Sequence, residues 1–303
     1  METIHVTPGD SLQKILAAVQ PGTRIHLAKG IYREKIQIST PGIELVGAGA
    51  EDTIIIYNDF AKKLDEHGVE YNTFRTWTMA VTAPGVRLKN LTVQNDALSP
   101  KTKGQEVALT VYADDFSAEN CRLISTQDTL FLGPLPDDLI DRYDGFLKDE
   151  LRAAGFQTQR FTDCFIAGTV DFIFGCGDAI FENCEIKSLY EERGHGYAAA
   201  PAHASTQPIG FVFHHCRFTR EPQVADESVY LARPWRDFGK ASFLGCEYDS
   251  HIAKTGFDKW NDTERDKTAR FAEFPVKCDG RVLWSKLLTD TEKTVLLSYF
   301  SRN

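Results

Sequence analysis

Two aspartates at matching positions of a repeat could form a catalytic pair. Asp128 follows Cys121 by seven residues, and Asp171 follows Cys164 by the same seven residues. If the two cysteines stack on successive coils of a repeating fold, the carboxyl groups stack as well, about 4.8 Å apart. Two such groups cannot both ionise cheaply, so we expect one pKa to rise and the other to fall. A pair of this kind supplies an acid together with a base or nucleophile.

The neighbours of Asp171 favour a functional role over an ordinary solvated position on a loop rim. Asp171 lies in the run Gly168-Thr169-Val170-Asp171-Phe172-Ile173-Phe174-Gly175, which is otherwise mostly apolar. A carboxylate among apolar side chains is costly unless it has a partner or a function.

The elements that must position this pair are the coils of a repeat marked by cysteines. Each copy has an apolar residue, two intervening residues, a small residue, one polar residue and another apolar one. The copies recur at irregular intervals of 20 to 43 residues, and strand-forming residues alternate around them. This pattern predicts an all-β fold, a parallel β-helix whose coils stack around one core. We expect the five cysteines to form an internal packing column, and the residue before each to take left-handed backbone at a bend. They are Cys121, Cys164, Cys184, Cys216 and Cys246.

Both ends of the solenoid carry helix signals. Leu12, Ile15, Leu16 and Val19 have helical spacing and predict an N-terminal cap helix, with Asp10 as its capping residue. Residues 289–292 form a capping box ahead of a short apolar run, which predicts a C-terminal helix. Residues 251–275 are charged and turn-rich and are interpreted as a tail along the coils. The whole chain, residues 1–303, is therefore expected to be a single domain.

Four motifs in a fixed order carry a resemblance to a known family. They are Gln105-Glu106-Val107-Ala108-Leu109, Gln127-Asp128-Thr129-Leu130, the run from Gly168 to Gly175, and Leu231-Ala232-Arg233-Pro234-Trp235. With them the chain resembles the pectin methylesterase (pectinesterase) family, carbohydrate esterases with a right-handed parallel β-helix. The resemblance extends from Gly30 to Trp284. It implies hydrolysis of methyl esters on homogalacturonan or its oligosaccharides, with release of methanol.

The resemblance implies a role for each polar residue of these motifs. Asp171 matches the nucleophile that forms an acyl-enzyme, and Asp128 matches the general acid that becomes a general base. Gln105 and Gln127 match amides that stabilise the tetrahedral oxyanion. Arg233 matches a guanidinium that keeps the nucleophile ionised and aimed. The family's chemistry requires no metal and no cofactor.

Substrate contacts and cleft shape are expected from neighbouring residues. Trp235 matches an aromatic wall for a sugar ring, and Phe131, Phe174 and Gln105 are predicted to contact substrate as well. The segment from residue 133 to 159 resembles an insertion found in one bacterial branch of the family, and we expect the chain to belong to the bacterial branch. We expect this segment to overhang the cleft and to favour short substrates.

Charge and the N-terminus bear on partners and location. The 303 residues include 34 Lys+Arg and 43 Asp+Glu, a net charge of -9. This balance argues against nucleic acid or an anionic membrane as a partner. The N-terminus lacks a signal-peptide pattern, which favours a cytoplasmic enzyme finishing imported oligosaccharides. A secreted or periplasmic enzyme whose signal has been removed is the alternative, and a monomer is expected in either case.

Two other functions fit part of the pattern. A pair of carboxylates about 5 Å apart also suits a retaining glycosidase, and β-helices include polygalacturonases and pectate lyases. A lyase needs an acidic calcium cluster and a basic proton acceptor, and the sequence offers no convincing example. A non-catalytic carbohydrate-binding solenoid is the third interpretation, which the intact set of polar residues disfavours.

Overall fold

The computed structural model describes residues 2–97, 103–136, 138–139, 155–276 and 278–301. Within these residues the strands form three sheets in which every neighbouring pair is parallel. The first, sheet A, contains β1 (Thr3–Val6), β2 (Arg24–Leu27), β5 (Glu44–Gly47), β8 (Arg87–Lys89), β11 (Phe116–Glu119), β14 (Thr158–Thr162), β17 (Asp178–Glu182), β20 (Phe211–His214), β23 (Lys240–Leu244), β25 (Arg270–Phe274) and β26 (Lys286–Leu287).

The other two sheets are built from the strands that follow each strand of sheet A. Sheet B contains β3 (Gly30–Arg33), β6 (Thr53–Tyr57), β9 (Thr92–Asn95), β12 (Arg122–Ile124), β15 (Phe165–Gly168), β18 (Glu185–Ser188), β21 (Arg217–Arg220) and β24 (Glu247–Tyr248). Sheet C contains β4 (Ile36–Ile38), β7 (Met79–Val81), β10 (Leu109–Val111), β13 (Leu130–Leu132), β16 (Val170–Gly175), β19 (Gly196–Pro201) and β22 (Val229–Ala232). From β2 to β24 the chain visits A, B and C in turn, so the predicted parallel β-helix is confirmed.

The interior is organised as columns of like side chains. The rings of Phe161, Phe181, Phe213 and Phe243 stack with successive centroid separations of 4.9, 4.7 and 4.9 Å. The cysteine column is also present, with all five thiols free and four of them buried. Each coil completes an apolar layer that the next coil covers, which is how a solenoid buries a core without a second domain.

The bend before each cysteine has the left-handed backbone that the sequence predicts. The five φ values lie between 48° and 61°, a region that Asn, Asp and Gly tolerate best and other residues enter at a cost. The residues are Asn120, Asp163, Asn183, His215 and Gly245. The repeated residue types therefore mark the corner between sheets A and B.

Two short α-helices cover the ends, and one capping prediction is wrong. Helix α1 (Leu12–Ala18) is capped by Ser11, whose side chain accepts a hydrogen bond from the backbone N of Lys14. Asp10 faces the preceding turn instead and accepts hydrogen bonds from the N and Oγ1 of Thr7, both at 2.8 Å. Both residues are good caps, and the helix starts one residue too late for Asp10 to act.

The C-terminal helix α2 (Asp290–Phe300) has the capping box that the sequence predicts, formed by Thr289 and Glu292. Short 3₁₀ turns occur at Thr73–Arg75 and Arg265–Lys267. Among the described residues, neither helix has the length and apolar character needed to cross a lipid bilayer.

The region interpreted as an irregular tail contains a further strand. Strand β25 pairs in register with β23, and Phe271 is buried against the ring of Phe257, 5.1 Å away. The high charge of the surrounding residues hides the alternation of this strand in the sequence. Residues 137 and 140–154, most of the segment expected to overhang the cleft, lie outside the described residues.

Candidate active site

Asp128 and Asp171 lie at the same level of neighbouring coils, as their spacing predicts. Strand β13 pairs with β16 so that Leu130 is opposite Ile173, and the backbone N of Asp128 donates to the carbonyl of Val170 at 3.1 Å. Both aspartates have left-handed backbone, with φ of 65° and 52°. The register of β16 against β19 also shifts between Val170 and Ile173. A bulge of this kind redirects a side chain out of the regular pleat.

Arg233 holds both oxygens of the Asp171 carboxylate. Its Nε donates to Oδ1 at 2.8 Å and its Nη2 donates to Oδ2 at 2.6 Å. The guanidinium carbon lies 3.7 Å from the ring centroid of Tyr197 and 4.0 Å from that of Trp260. An arginine held between two aromatic rings and a carboxylate has little freedom, so it fixes the rotamer of Asp171.

The two carboxyl groups have unequal proton affinities. Burial and the neighbouring Asp171 carboxylate raise the pKa of Asp128 well above its usual value. Burial raises the pKa of Asp171 as well, and the hydrogen bonds and charge of Arg233 only partly offset that rise. The expected fall of one pKa is therefore wrong, because the cost of burying the Asp171 charge exceeds the effect of its cationic partner. The pKa of Asp128 is still the more strongly raised of the two, so Asp128 is the group that keeps its proton.

The predicted polar residues converge on one cleft of about 300 Å³. They come from four strands of sheet C: Gln105 precedes β10, Asp128 precedes the neighbouring strand β13, Asp171 lies in β16, and Arg233 follows β22, two strands beyond β16. The lining also includes aromatic and apolar side chains and one further arginine. The lining residues are Thr73, Phe74, Gln105, Gln127, Asp128, Leu139, Asp171, Phe174, Ala200, Arg233, Trp235, Arg236 and Trp260.

Phe131 is not on the surface of this cleft, so its predicted contact with substrate is wrong. Its ring is fully buried, with centroids 5.1 Å from Phe74, 5.2 Å from Tyr112 and 5.0 Å from Phe174. The side chain points outward from the coil but is covered by the loop that carries Phe74. It supports the floor of the cleft, and Phe174 above it reaches the surface.

Several residues at the site carry no signal in the sequence. Arg193 donates from Nη2 to Oε1 of Gln127 at 3.3 Å and forms an ion pair with Glu191 at 3.0 Å. Tyr197 and Trp260 enclose Arg233. Arg193, Glu191 and Trp260 lie in connections and Tyr197 lies in β19. None belongs to the repeat or the motifs, and only the folded chain brings them to the cleft.

Related proteins of known sequence and structure are pectinesterases. Pectinesterase 31 of Arabidopsis thaliana is 31% identical over 282 residues, which cover 89% of this chain and 80% of that protein. Pectin methylesterase PemA from Erwinia chrysanthemi has the same fold, with 25% identity and a TM-score of 0.79 over 97% of this chain and 94% of the other. A pectin methylesterase in complex with a hexasaccharide aligns at 24% identity and a TM-score of 0.77, over 97% and 94% of the two chains.

These relatives overturn one expectation. The plant and bacterial pectinesterases similar to this chain are extracellular or secreted cell-wall enzymes. The cytoplasmic location expected from the N-terminal residues is therefore wrong. A short stretch of sequence without a recognisable signal is weaker information than a likeness over most of the chain.

The match to a family model covers almost all of the molecule. The model of the pectinesterase family matches residues 3–134 and 144–300, which include all four motifs and every polar residue of the cleft discussed above. With this match and the Arabidopsis relative, the chain belongs to the pectinesterase family.

Proposed function

We propose that Asp171 is the nucleophile of this pectinesterase and that Asp128 is its general acid and base. The observation that carries the assignment is the two-point hydrogen bond from Arg233 to Asp171 beside a second, more basic carboxyl group. A carboxylate is a weak nucleophile, and it attacks only if it is ionised and correctly oriented. Arg233 provides the orientation and favours the ionised form, while Asp128 holds the proton that the leaving group needs.

The reaction follows from these protonation states. An oxygen of Asp171 attacks the C6 carbonyl of a methyl galacturonate, and the carbonyl electrons move onto oxygen. The amides of Gln105 and Gln127 donate hydrogen bonds to that oxyanion. When the intermediate collapses, the C6–O bond to the methoxy group breaks, and Asp128 protonates the departing oxygen to give methanol.

The second half of the reaction restores the enzyme. Asp128, now a carboxylate, takes a proton from water as the water oxygen attacks C6 of the acyl-enzyme. Collapse expels the Asp171 carboxylate and leaves a galacturonic acid unit. Both aspartates end in their starting protonation states.

We propose methyl-esterified galacturonan or its oligosaccharides as the substrate, with a monomer as the active form. A pectin methylesterase of the same fold has been solved with a hexasaccharide, which supports an oligomeric sugar in the cleft. Trp235 and Phe174 line the cleft and are proposed to contact the sugar rings. Membership in a bacterial branch stays a prediction, since the relatives found include plant and bacterial enzymes.

The assignment is tested with Asp171→Asn on methylated pectin. The wild-type protein should release methanol without shortening the polymer, and the variant should lose turnover while keeping its fold and melting temperature within a few degrees. Asn tolerates the left-handed backbone at this position, so the change removes the charge with little strain. Turnover that survives in the variant would exclude Asp171 as nucleophile, and cleavage of the polymer by the wild type would indicate a glycosidase or lyase.

A further inference from the structure

Arg193 forms a contact with the cleft that the reaction scheme above does not use. It lies between β18 and β19, and its Nη2 donates to Oε1 of Gln127 at 3.3 Å, a residue 66 positions earlier in the chain. Gln127 is one of the two amides proposed to stabilise the oxyanion. The contact therefore joins a residue outside the motifs to a group that acts on the substrate.

Glu191 anchors Arg193 at a fixed place. The Nε and Nη2 atoms of Arg193 donate to the two carboxylate oxygens of Glu191, each at 3.0 Å, and the backbone N of Arg193 donates to Oε1 at 3.1 Å. The side chain of Glu191 is only 4% exposed, whereas that of Arg193 is 42% exposed. The acid is held by the body of the protein, so the guanidinium that reaches Gln127 is held as well.

A carboxamide can face its surroundings in two ways, and Arg193 distinguishes between them. The side chain of Gln127 has one acceptor oxygen and an NH₂ group that only donates. With the oxygen toward Arg193, the NH₂ group is available to the cleft. The reversed amide would set the NH₂ group against a cation and turn a carbonyl oxygen toward the oxyanion, which is unfavourable at both ends.

We propose that Arg193, anchored by Glu191, is a positioning residue that fixes the Gln127 carboxamide with its NH₂ group toward the reacting oxygen. This inference rests on the oxyanion role proposed for Gln127. It assigns no contact between Arg193 and the substrate.

The state of Asp128 agrees with this orientation. Burial raises the pKa of Asp128, and a hydrogen bond from the Gln127 side chain and the charge of Arg193 oppose that rise. A carboxamide favours the ionised form of a carboxyl group only by donating to it. The direction of this contribution agrees with the contact in which Oε1 of Gln127 accepts from Arg193 and leaves the NH₂ group as the donor.

The first test is Arg193→Met, which removes the guanidinium and keeps an unbranched side chain. We expect kcat for methanol release to fall roughly 10- to 100-fold, less than the 10²–10³ lost when an oxyanion donor is deleted. KM should stay within about twofold of wild type, since the residue does not hold substrate. Rates are compared at the plateau of each variant's pH profile, because loss of a cation also shifts the titration of the aspartates. Arg193→Lys, which keeps one donor and the charge, should recover part of kcat.

The control is Arg87→Met. Arg87 is 37% exposed and its Nη2 donates to both carboxylate oxygens of Asp115, so it matches Arg193 in exposure and in being paired with a carboxylate. It lies on β8 of sheet A and does not line the cleft. This variant should keep wild-type kcat and KM.

A double-mutant cycle decides whether Arg193 acts through Gln127. In a Gln127→Ala background, Arg193→Met should cause no further loss of kcat. Additive losses, or a raised KM with unchanged kcat, would overturn the inference and indicate a direct role on substrate.

Failure of the proposed reaction would give a different result, because wild-type protein would then release no methanol or Asp171→Asn would stay active. The deciding measurement is initial-rate methanol release by wild type, both single variants and the double variant on one methylated oligogalacturonate.

Discussion

The ion pair of Arg233 and Asp171 meets two requirements of the proposed reaction. The two hydrogen bonds orient the carboxylate, and the positive charge favours its ionised form against the effect of burial. The two aromatic rings beside Arg233 restrict the guanidinium in turn. Lysine could supply the charge at this position but not the two parallel hydrogen bonds.

Removal of this cation should change the pH dependence as well as the rate. In Arg233→Ala, burial raises the pKa of Asp171 and only the charge of Arg193 still opposes the rise, so the acid limb of kcat/KM should move to higher pH. Activity at the optimum should fall by roughly 10²-fold or more, because the carboxylate also loses its orientation. The measurement is a pH profile of methanol release beside that of Arg87→Met. A profile that keeps its acid limb would contradict the role given to Arg233.

Asp128 should be needed for activity and at the same time lower the stability of the folded protein at neutral pH. The carboxyl group of Asp128 binds its proton more tightly in the folded than in the unfolded protein, because burial and Asp171 raise its pKa. Its contribution to stability is therefore complete below the unfolded pKa and is lost as pH rises through the folded pKa. Asp128→Asn should abolish turnover and raise the free energy of unfolding by about 1 kcal/mol at neutral pH.

That gain should disappear in acid, where wild-type Asp128 is protonated in both states. Denaturant unfolding at several pH values measures the effect. Asp163→Asn is the control, since Asp163 has the same left-handed backbone on an exposed corner. A gain in stability that did not depend on pH would show that the carboxyl charge is not its cause.

At the scale of elements, β16 is a strand of the solenoid and also carries Asp171, the proposed nucleophile. The motif around Asp171 identifies this strand from sequence, and the seven-residue spacing places it beside Asp128. The register shift after Val170 and the burial of Phe131 could not be predicted. Both depend on which loop packs against the outer face of sheet C. The sequence of a single strand does not reveal which loop that is.

Gly175 at the end of β16 should tolerate no side chain. Its φ is +124°, and a Cβ atom there would lie 2.1 Å from the carbonyl oxygen of Leu132 on the next coil. Gly175→Ala should therefore lower the free energy of unfolding by roughly 3 kcal/mol or more and reduce turnover, since Phe174 and Asp171 share the strand.

The matched control separates backbone strain from the clash. Gly22 has a φ of +79° with nothing within 4 Å of its added Cβ. Gly22→Ala should cost only about 1 kcal/mol, the penalty of the left-handed backbone itself. Thermal unfolding of both variants gives the comparison, and equal losses would mean that the contact with Leu132 is relieved at no cost.

At the scale of the whole molecule, the repeat was the most informative feature of the sequence. The cysteine contexts predicted the stack of coils and the left-handed corners, and they placed Asp128 beside Asp171. We propose that residues 1–303 form one domain, because sheet A extends from Thr3–Val6 to Lys286–Leu287. The strand at Arg270–Phe274 and the secreted location of relatives could not be predicted, since neither leaves a clear local pattern in the sequence.

The stacked phenylalanines should contribute strongly to global stability. Phe213 is fully buried between Phe181 and Phe243, with centroids 4.7 and 4.9 Å away. Phe213→Ala should cost about 3–5 kcal/mol, from lost burial and from the cavity that remains. Phe156, which is mostly exposed, provides the control, and its change to Ala should alter the melting temperature little. Similar losses in the two variants would contradict a rigid central column.

Neighbouring strands of sheet C keep their alignment although the connections between them differ greatly in length. Leu109, opposite Leu130, precedes it by 21 residues, whereas Leu130 and Ile173, also opposite each other, are 43 residues apart. The strands therefore keep their pairing when the loops between them differ in length, and Asp128 and Asp171 stay side by side. Natural variation or directed evolution could therefore change the length of the loop after Leu132. Such a change would alter which sugars enter the cleft and leave the residues proposed for catalysis in place.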